Sequence, residues 1–262
     1  MPLRPKGLTD PLPRDASTVA ILRGRPSARG GGLEVLLMTR PDTSLFAPGA
    51  EVFPGGAVDP ADLDPGWAEL AGGVRLQPRV DRSFLVAAVR ETFEECGVLI
   101  ARDSAGHVCQ PRAAAAAAPL RRELQGSGSD RFLPGLRALG LRPGWEDLVL
   151  CAHWMTPKRL PRIYDTRFFM AAMPREQEPR QDDGGELFSM RWVAPSTALE
   201  DAVQHRNFLF APTRAVLRQL ASERSVAAAL RAAGRMKVQR VRPGPGQARY
   251  PGLDPGEVLG GD

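Results

Sequence analysis

The stretch RETFEECGV, Arg90–Val98, places three glutamates within five residues and then ends on a glycine. On an α-helix over about residues 81–96, at roughly 100° per residue, the apolar side chains gather on one face and Glu91, Glu94 and Glu95 lie roughly opposite. Carboxylates at this spacing repel one another by roughly a few tenths of a kcal/mol per pair. The segment therefore predicts a helix with a core face and a carboxylate face, which is either a solvated surface or a site for a cation such as Mg²⁺.

Two flanking features favour the cation site. Arg90 directly precedes Glu91 and is placed to hold that carboxylate, and Gly97 lets the chain leave the helix in a tight turn. Upstream, FPGG (Phe53–Gly56) offers bare backbone, where a carbonyl can reach a metal and a phosphate can approach closely. Taken alone, Pro-Gly-Gly would indicate no more than a turn.

FPGG followed by RETFEECGV resembles the Nudix box of the Nudix hydrolases. That box reads glycine, five residues, glutamate, seven residues, and then Arg-Glu-apolar-x-Glu-Glu-x-Gly-apolar. In this chain Thr92 stands at the first apolar position of the second half. The other fixed positions of that half match at Arg90, Glu91, Glu94, Glu95, Gly97 and Val98.

The first half of the box departs from the pattern. Gly56 and Arg90 are 34 positions apart, whereas 14 positions separate the corresponding residues of the standard box, so 20 residues are inserted. Counted back from Arg90, the place of the first glutamate falls on Arg82. We expect that glutamate to be lost or relocated, with Asp81 as its nearest substitute.

The resemblance implies an α/β fold, the Nudix α/β/α sandwich with a mixed β-sheet, carrying insertions. It also implies a hydrolase that depends on Mg²⁺, for which Mn²⁺ can substitute. By the same resemblance, Glu94 and Glu95 bind the metal with help from the Gly56 carbonyl. Glu91 is a further ligand or the base that activates water, and Arg90 orients it.

In this family a further carboxylate usually comes from a later loop. We expect Glu186, in QDDGGELFSMRW, to supply it as a catalytic residue. Asp182 and Asp183 are its rivals, and an ordinary acidic turn is the alternative interpretation.

The segment WMTPKRLPRIYDTRFF is dense in groups that can hold a phosphate or stack on a base. We predict that Lys158 and Arg162 bind the substrate, with Trp154 beside them. Gly55 is predicted to let the substrate approach the backbone closely. A rigid connection that contains prolines is the alternative interpretation of the segment.

An interrupted box followed by this segment is similar to the branch of the family that contains coenzyme A diphosphatases. That likeness implies hydrolysis of coenzyme A or acyl-coenzyme A to 3′,5′-ADP and 4′-phosphopantetheine or its acylated form. The alternatives are a Nudix pyrophosphatase for ADP-ribose, NADH or dinucleoside polyphosphates, and a catalytically silent Nudix-fold regulator that binds a ligand. The intact glutamates argue against the regulator, which needs neither a base nor metal ligands.

We expect one Nudix domain over residues 1–262 with a core at about 17–233. STVAILRGR and LEVLLMTR predict a β-hairpin that opens it, and WEDLVLCAHWMT, TRFFMAAM and GELFSMRWVA predict later strands. Further helices are predicted at about 207–221 and 225–233. We also expect an insertion within the box at 57–80, a helical insertion at 103–146 and an extended C-terminal tail at 240–262.

Composition narrows the class of protein. Of the 262 residues 43% are hydrophobic, which is enough for a sizeable core, and no apolar run approaches the roughly 20 residues of a membrane span. The start MPLRPKGLTDPLPRD lacks the apolar centre of a signal peptide, and the three cysteines have no paired spacing. A cytoplasmic enzyme without a membrane partner is therefore expected.

The net charge is +5, and 32 of the 35 basic residues are arginines. This bias suits bidentate phosphate recognition, although genomic base composition explains it equally well. No basic run is interleaved with aromatic residues, so no nucleic-acid partner is expected. The predicted partner is a small nucleotide-type substrate, and the composition leaves a homodimer open.

Overall fold

The helices and strands of the chain were assigned in a computed structural model, which describes residues 12–25, 31–41, 49–71, 73–74, 80–156, 163–180 and 189–242. The strands are β1 (Arg14–Gly24), β2 (Leu33–Thr39), β3 (Ala50–Val52), β4 (Gly55–Ala57), β5 (Ala101–Asp103), β6 (Leu141–Pro143), β7 (Val149–Met155), β8 (Tyr164–Ala172), β9 (Ser189–Val193), β10 (Phe208–Leu209) and β11 (Arg240–Val241). The α-helices are α1 (Gly66–Leu70), α2 (Arg82–Cys96), α3 (Pro111–Ala116), α4 (Ala118–Ser127), α5 (Phe132–Ala138), α6 (Pro195–Val203), α7 (Ala211–Ala221) and α8 (Val226–Arg235).

The sheet is built around the apolar strands β1 and β2. They pair antiparallel, with Leu22 opposite Val35, so the predicted hairpin is confirmed. On its other side β1 runs parallel to β8, which makes the sheet mixed. Through the described residues the strand order is β10-β3-β2-β1-β8-β7-β11, with β4 paired to β1 and β9 paired to β2.

Each face of this sheet carries its own hydrophobic core because successive side chains of a strand point to opposite faces. Val19 and Ile21 of β1 belong to the first core, which is shared with α2. Ala20 and Leu22 belong to the second core, which is shared with α6, α7 and α8. Helices therefore cover both faces, and the predicted α/β/α sandwich with a mixed sheet is confirmed.

Helix α2 follows the predicted pattern closely. Its core face, which includes Phe84, Val89 and Phe93, is buried in the first core. Gly97 ends the helix in the left-handed conformation, with φ of 71°, and its N–H donates to the Phe93 carbonyl oxygen at 2.9 Å. The glutamates lie on the remaining face, so local periodicity alone was sufficient to predict this element.

The two insertions pack against each other and against α2. The segment predicted to be the insertion within the box, 57–80, contains a 3₁₀-helix, Pro60–Leu63, and then α1. The helical insertion forms α3, α4 and α5, with β5 and β6 paired at its ends. The Trp67 and Phe132 ring centroids, one from each insertion, lie 5.6 Å apart. Leu120 and Leu136 are buried in the first core, so the helical insertion is part of the layer that covers this face.

Some predicted elements differ from the observed ones. Helix α6 was not predicted, and the helix expected from residue 207 begins only at Ala211 because Phe208 and Leu209 pair with β3 as β10. At the start of the predicted tail, β11 pairs parallel with β7, and the tail beyond Arg242 lies outside the described residues. No described helix combines the length and the apolar character that crossing a membrane requires.

Replacing Thr92 by valine is expected to stabilise the fold. Thr92 is fully buried on the core face of α2, and within the described part of the chain its hydroxyl oxygen has no hydrogen-bond partner. Removing a buried polar group without a partner should raise the free energy of unfolding by about 1 kcal/mol, measured by denaturant titration. Thr18→Val is the matched control, since it removes a hydroxyl that donates to the Pro54 carbonyl at 2.7 Å and should lower that free energy. Equal losses in the two variants would contradict the prediction.

Candidate active site

The FPGG segment (Phe53–Gly56), called here the glycine loop, runs from the end of β3 into β4 and is held against β1. The Val19 N–H and the Thr18 hydroxyl both donate to the Pro54 carbonyl oxygen, at 2.8 and 2.7 Å. Gly55 has φ of 155°, and a Cβ at this position would lie 2.3 Å from the Ser17 carbonyl oxygen. Only glycine fits there, so Gly55 is required by the close packing of backbone on backbone.

This loop directly touches the carboxylate face of α2. The Gly55 N–H donates to Glu95 Oε2 at 2.7 Å. A Cβ on Gly56 would lie 2.5 Å from the carboxylate carbon of Glu91. The absence of a side chain at Gly56 therefore lets Glu91 approach the loop backbone, and the Gly55 N–H binds Glu95.

Arg90 connects the remaining parts of the site. It is buried, with 3% of its surface exposed, and its Nε and Nη2 donate to the two carboxylate oxygens of Asp62 at 2.9 and 2.8 Å. Its Nη1 donates to Glu91 Oε1 at 2.9 Å and lies 3.5 Å from Glu94 Oε2. Its Nη2 also donates to the Ala57 carbonyl at 3.0 Å. One guanidinium thus fixes the 3₁₀-helix, the end of β4 and the Glu91 carboxylate.

Asp62 occupies the place of the first glutamate of the box, and sequence analysis missed it. It stands six positions after Gly56, which is the standard spacing counted from the glycine. It is buried, and a capping box with Asp59 holds its carboxylate. Asp81 is exposed at the start of α2 and its side chain makes no capping hydrogen bond, so the prediction that it substitutes for the glutamate is wrong. Counting forward from the glycine would have found Asp62.

The three glutamates lie in a desolvated and negatively charged environment. Burial raises the pKa of Glu91 to about 7, although the neighbouring Arg90 opposes the shift. Burial also raises the pKa of Glu94. The pKa of Glu95 is raised well above its ordinary value by burial and then by the charge of Glu91. Such a group of carboxylates favours binding either protons or a cation.

The chemistry of this donor set fits a hard divalent cation, because Mg²⁺ prefers carboxylate and carbonyl oxygens. As the side chains stand, no group of three or more histidine, cysteine, aspartate or glutamate residues in the described ranges is arranged to hold a metal ion. Arg90 and the Gly55 N–H take up oxygens of Glu91 and Glu95 instead. A cation would replace these partners in part.

Trp154 was predicted as a substrate contact, and the structure does not bring it to this face. Trp154 lies on β7 with 6% of its surface exposed and packs in the second core, on the side of the sheet away from α2. Lys158, Arg162 and Glu186, with the rivals of Glu186, lie outside the described residues. Their roles stay predictions.

Comparison with known proteins agrees with the fold and the box. A family model described as the NUDT19 Nudix domain matches residues 76–218, more than half of the 262-residue chain. A crystal structure of a NUDIX hydrolase from Alicyclobacillus acidocaldarius is similar, with 30% identity and a TM-score of 0.64 over 80% of this chain and 91% of that one. The chain therefore belongs to the Nudix hydrolase family, in its NUDT19 branch.

Similar curated proteins belong to the same branch. The chain is 28% identical to the acyl-coenzyme A diphosphatase NUDT19 of Gallus gallus over 71% of this chain and 62% of that protein. It is also 28% identical to the acyl-coenzyme A diphosphatase NUDT19 of Homo sapiens over 73% of this chain and 61% of that protein. The chain thus spans about three fifths of the length of these relatives.

Removing the Asp62 carboxylate is expected to be strongly destabilising. In Asp62→Ala the buried Arg90 keeps its charge and loses two hydrogen bonds, which should lower the free energy of unfolding by about 3–5 kcal/mol. Asp81→Ala is the matched control at the exposed start of α2, and its loss should stay below about 1 kcal/mol. Denaturant titration of the two variants measures the difference. Similar losses would show that Asp62 is not the partner on which Arg90 depends.

Proposed function

We propose that the chain is a metal-dependent diphosphatase that hydrolyses coenzyme A or acyl-coenzyme A to 3′,5′-ADP and 4′-phosphopantetheine or its acylated form. The observation that carries the diphosphatase activity is the carboxylate face of α2 against the glycine loop, with Arg90 and Asp62 behind it. The substrate is supported by the names of the relatives in the NUDT19 branch.

Cleaving a diphosphate requires neutralisation of charge on two phosphoryl groups, a water in line with one phosphorus, and a group that accepts its proton. In this proposal Glu94, Glu95 and the Gly56 carbonyl would hold Mg²⁺ or Mn²⁺, and Glu91 acts as the base rather than as a further ligand. When bound, the metal neutralises phosphoryl oxygens and lowers the pKa of water. The protein holds these metal ligands in place and provides the group that accepts the proton.

Glu91 is the proposed proton acceptor. Arg90 donates to its Oε1, which leaves Oε2 to take the proton of the attacking water. Before any cation binds, burial raises the pKa of Glu91 to about 7, and a pKa in this range suits a group that accepts a proton near neutral pH. As the water oxygen bonds to one phosphorus, the bond from that phosphorus to the bridging oxygen breaks and the second phosphate leaves. Glu186 remains the proposed additional carboxylate from the later loop.

The substrate contacts proposed for this reaction come from two segments. Gly55 and Gly56 are half-buried, and we retain the Gly55 backbone as a phosphate contact, although Ser17 and Glu91 fill the space where a Cβ of either glycine would lie. Lys158 and Arg162 belong to the segment that directly follows β7, and we retain them as phosphate-binding residues. Trp154 is not a substrate contact in this proposal. It lies on β7, the strand that leads into this segment, and its burial in the second core holds that strand in place.

The two insertions border a cavity of about 520 Å³ that is separate from the glutamate face. Three carboxylates line it, from Asp59, Asp64 and Asp130, together with apolar groups such as Leu133. This lining repels a diphosphate. In our proposal the diphosphate therefore lies at the α2 carboxylate face, and only an uncharged part of the substrate could enter the cavity.

The first test of the function is hydrolysis by the purified protein with Mg²⁺. Coenzyme A, acetyl-coenzyme A, ADP-ribose, NADH and diadenosine tetraphosphate are compared, with products identified by mass spectrometry. We expect release of 3′,5′-ADP from coenzyme A or its acetyl ester well above the other rates. Glu94→Gln should lose several orders of magnitude in rate while it remains folded. Turnover of the other substrates alone would reject the coenzyme A assignment, and hydrolysis of none of the five would overturn the proposal.

A methyl group at Gly56 is expected to disrupt the site without a general loss of fold. In Gly56→Ala the added Cβ would meet the Glu91 carboxylate, which must move away from Arg90. A displacement of about 1 Å in such a group can lower kcat by about a hundredfold, and steady-state kinetics measures it. Gly24→Ala is the control, because a Cβ there meets nothing within 4 Å. Equal kcat in the two variants would show that Glu91 does not act at this position.

A further inference from the structure

The last turn of α2 leaves carbonyl oxygens that have no partner within the helix. The Phe93 carbonyl accepts from the Gly97 N–H, and the Cys96 carbonyl accepts from the backbone N–H of Arg180 at 2.9 Å. The two carbonyls between them belong to Glu94 and Glu95, whose side chains are proposed metal ligands. Both are bonded by side chains of the helical insertion.

Arg121 of α4 makes the central contacts. Its Nε donates to the Glu94 carbonyl at 3.0 Å and its Nη2 donates to the Glu95 carbonyl at 2.9 Å. Gln125, one turn later, donates from Nε2 to the Glu94 carbonyl at 3.0 Å. The planar guanidinium can serve two successive carbonyls at once, and its positive charge opposes the partial negative charge at the end of the helix.

This contact is built into the core and is not a surface ion pair. Arg121 is buried, with 8% of its surface exposed. Leu120 and Leu124 of the same helix are buried in the first core together with α2, so the guanidinium is carried by a packed helix. A Cβ on Gly97 would lie 3.0 Å from Arg121 Nη1, so the glycine at the end of α2 also makes room for it.

We propose that Arg121, assisted by Gln125, is a positioning residue through which the helical insertion sets the affinity of the metal site. The inference rests on the proposed function, since it requires that Glu94 and Glu95 bind the cation. Helix ends fray, and both of these ligands lie in the last turn of α2. Hydrogen bonds to their own carbonyls hold the peptide units, and hence the directions of the two side chains, without occupying the carboxylates.

The test measures metal binding directly and needs no substrate. Binding of Mn²⁺ to the full chain is followed by isothermal titration calorimetry and by electron paramagnetic resonance. Variants that remove a partner of an essential metal ligand typically weaken binding at least tenfold, so Arg121→Ala should raise the Mn²⁺ dissociation constant by about tenfold. Arg121→Lys should recover part of this loss, because lysine keeps the charge but cannot span both carbonyls in one plane. Gln125→Ala should weaken binding less than Arg121→Ala.

Arg122→Ala is the matched control, since Arg122 is exposed on the same turn of α4. It should bind Mn²⁺ as the unchanged protein does. Melting temperature and circular dichroism establish that each variant is folded, and the lysine and Gln125 variants decide the question if Arg121→Ala does not fold. Lower melting temperatures with unchanged Mn²⁺ dissociation constants would reduce Arg121 to a structural role and overturn this inference alone. If the unchanged protein binds no Mn²⁺, the metal-dependent function fails, and this inference with it.

Discussion

The buried ion pair between Arg90 and Asp62 is the interaction on which the rest of the site depends. A guanidinium cannot be buried without partners, because its desolvation costs several kcal/mol even after relaxation. The Asp62 carboxylate accepts hydrogen bonds from Nε and Nη2 of Arg90. The Ala57 carbonyl also accepts from Nη2, and the Glu91 carboxylate accepts from Nη1. These bonds fix the 3₁₀-helix, the end of β4 and α2 relative to one another. The glycine loop can therefore approach the glutamates at a constant distance.

A different segment of the chain positions each of the three glutamates. Arg90, from the preceding position of α2, holds the Glu91 carboxylate. The Gly55 N–H, from the glycine loop, holds the Glu95 carboxylate. Among the residues that the structure describes, the Glu94 carboxylate has one hydrogen bond, the long contact to Arg90, and its position depends on the backbone, which α4 holds through Arg121. The site is thus an assembly of local and distant segments around one helix, and the helical insertion contributes to it as directly as the box does.

Local patterns predicted the parts of this structure that depend on local physics. The hairpin of β1 and β2, helix α2 and its end at Gly97 follow from alternation, helical periodicity and the left-handed conformation that glycine permits. Partners that are distant in sequence were not predictable in this way. Asp62 was missed because spacing counted back from Arg90 crosses the insertion. Trp154 was grouped with the segment beside it, yet strand alternation and pairing place its side chain on the opposite face of the sheet from α2.

The position of the first insertion explains why the box tolerates it. Between Asp62 and Arg90 lie 27 residues, whereas the standard box has seven. The entropic cost of closing a loop grows only with the logarithm of its length, so the longer connection costs about 1 kcal/mol more. With Arg90 buried, separating the two ends would leave its charge without Asp62 at a cost of about 3–5 kcal/mol, which is larger than the cost of closing the longer loop. The inserted residues also bury Trp67 against the helical insertion. An insertion within α2 would instead rotate Arg90 and the glutamates away from one another, whereas one between Asp62 and Arg90 leaves every contact of the site in place.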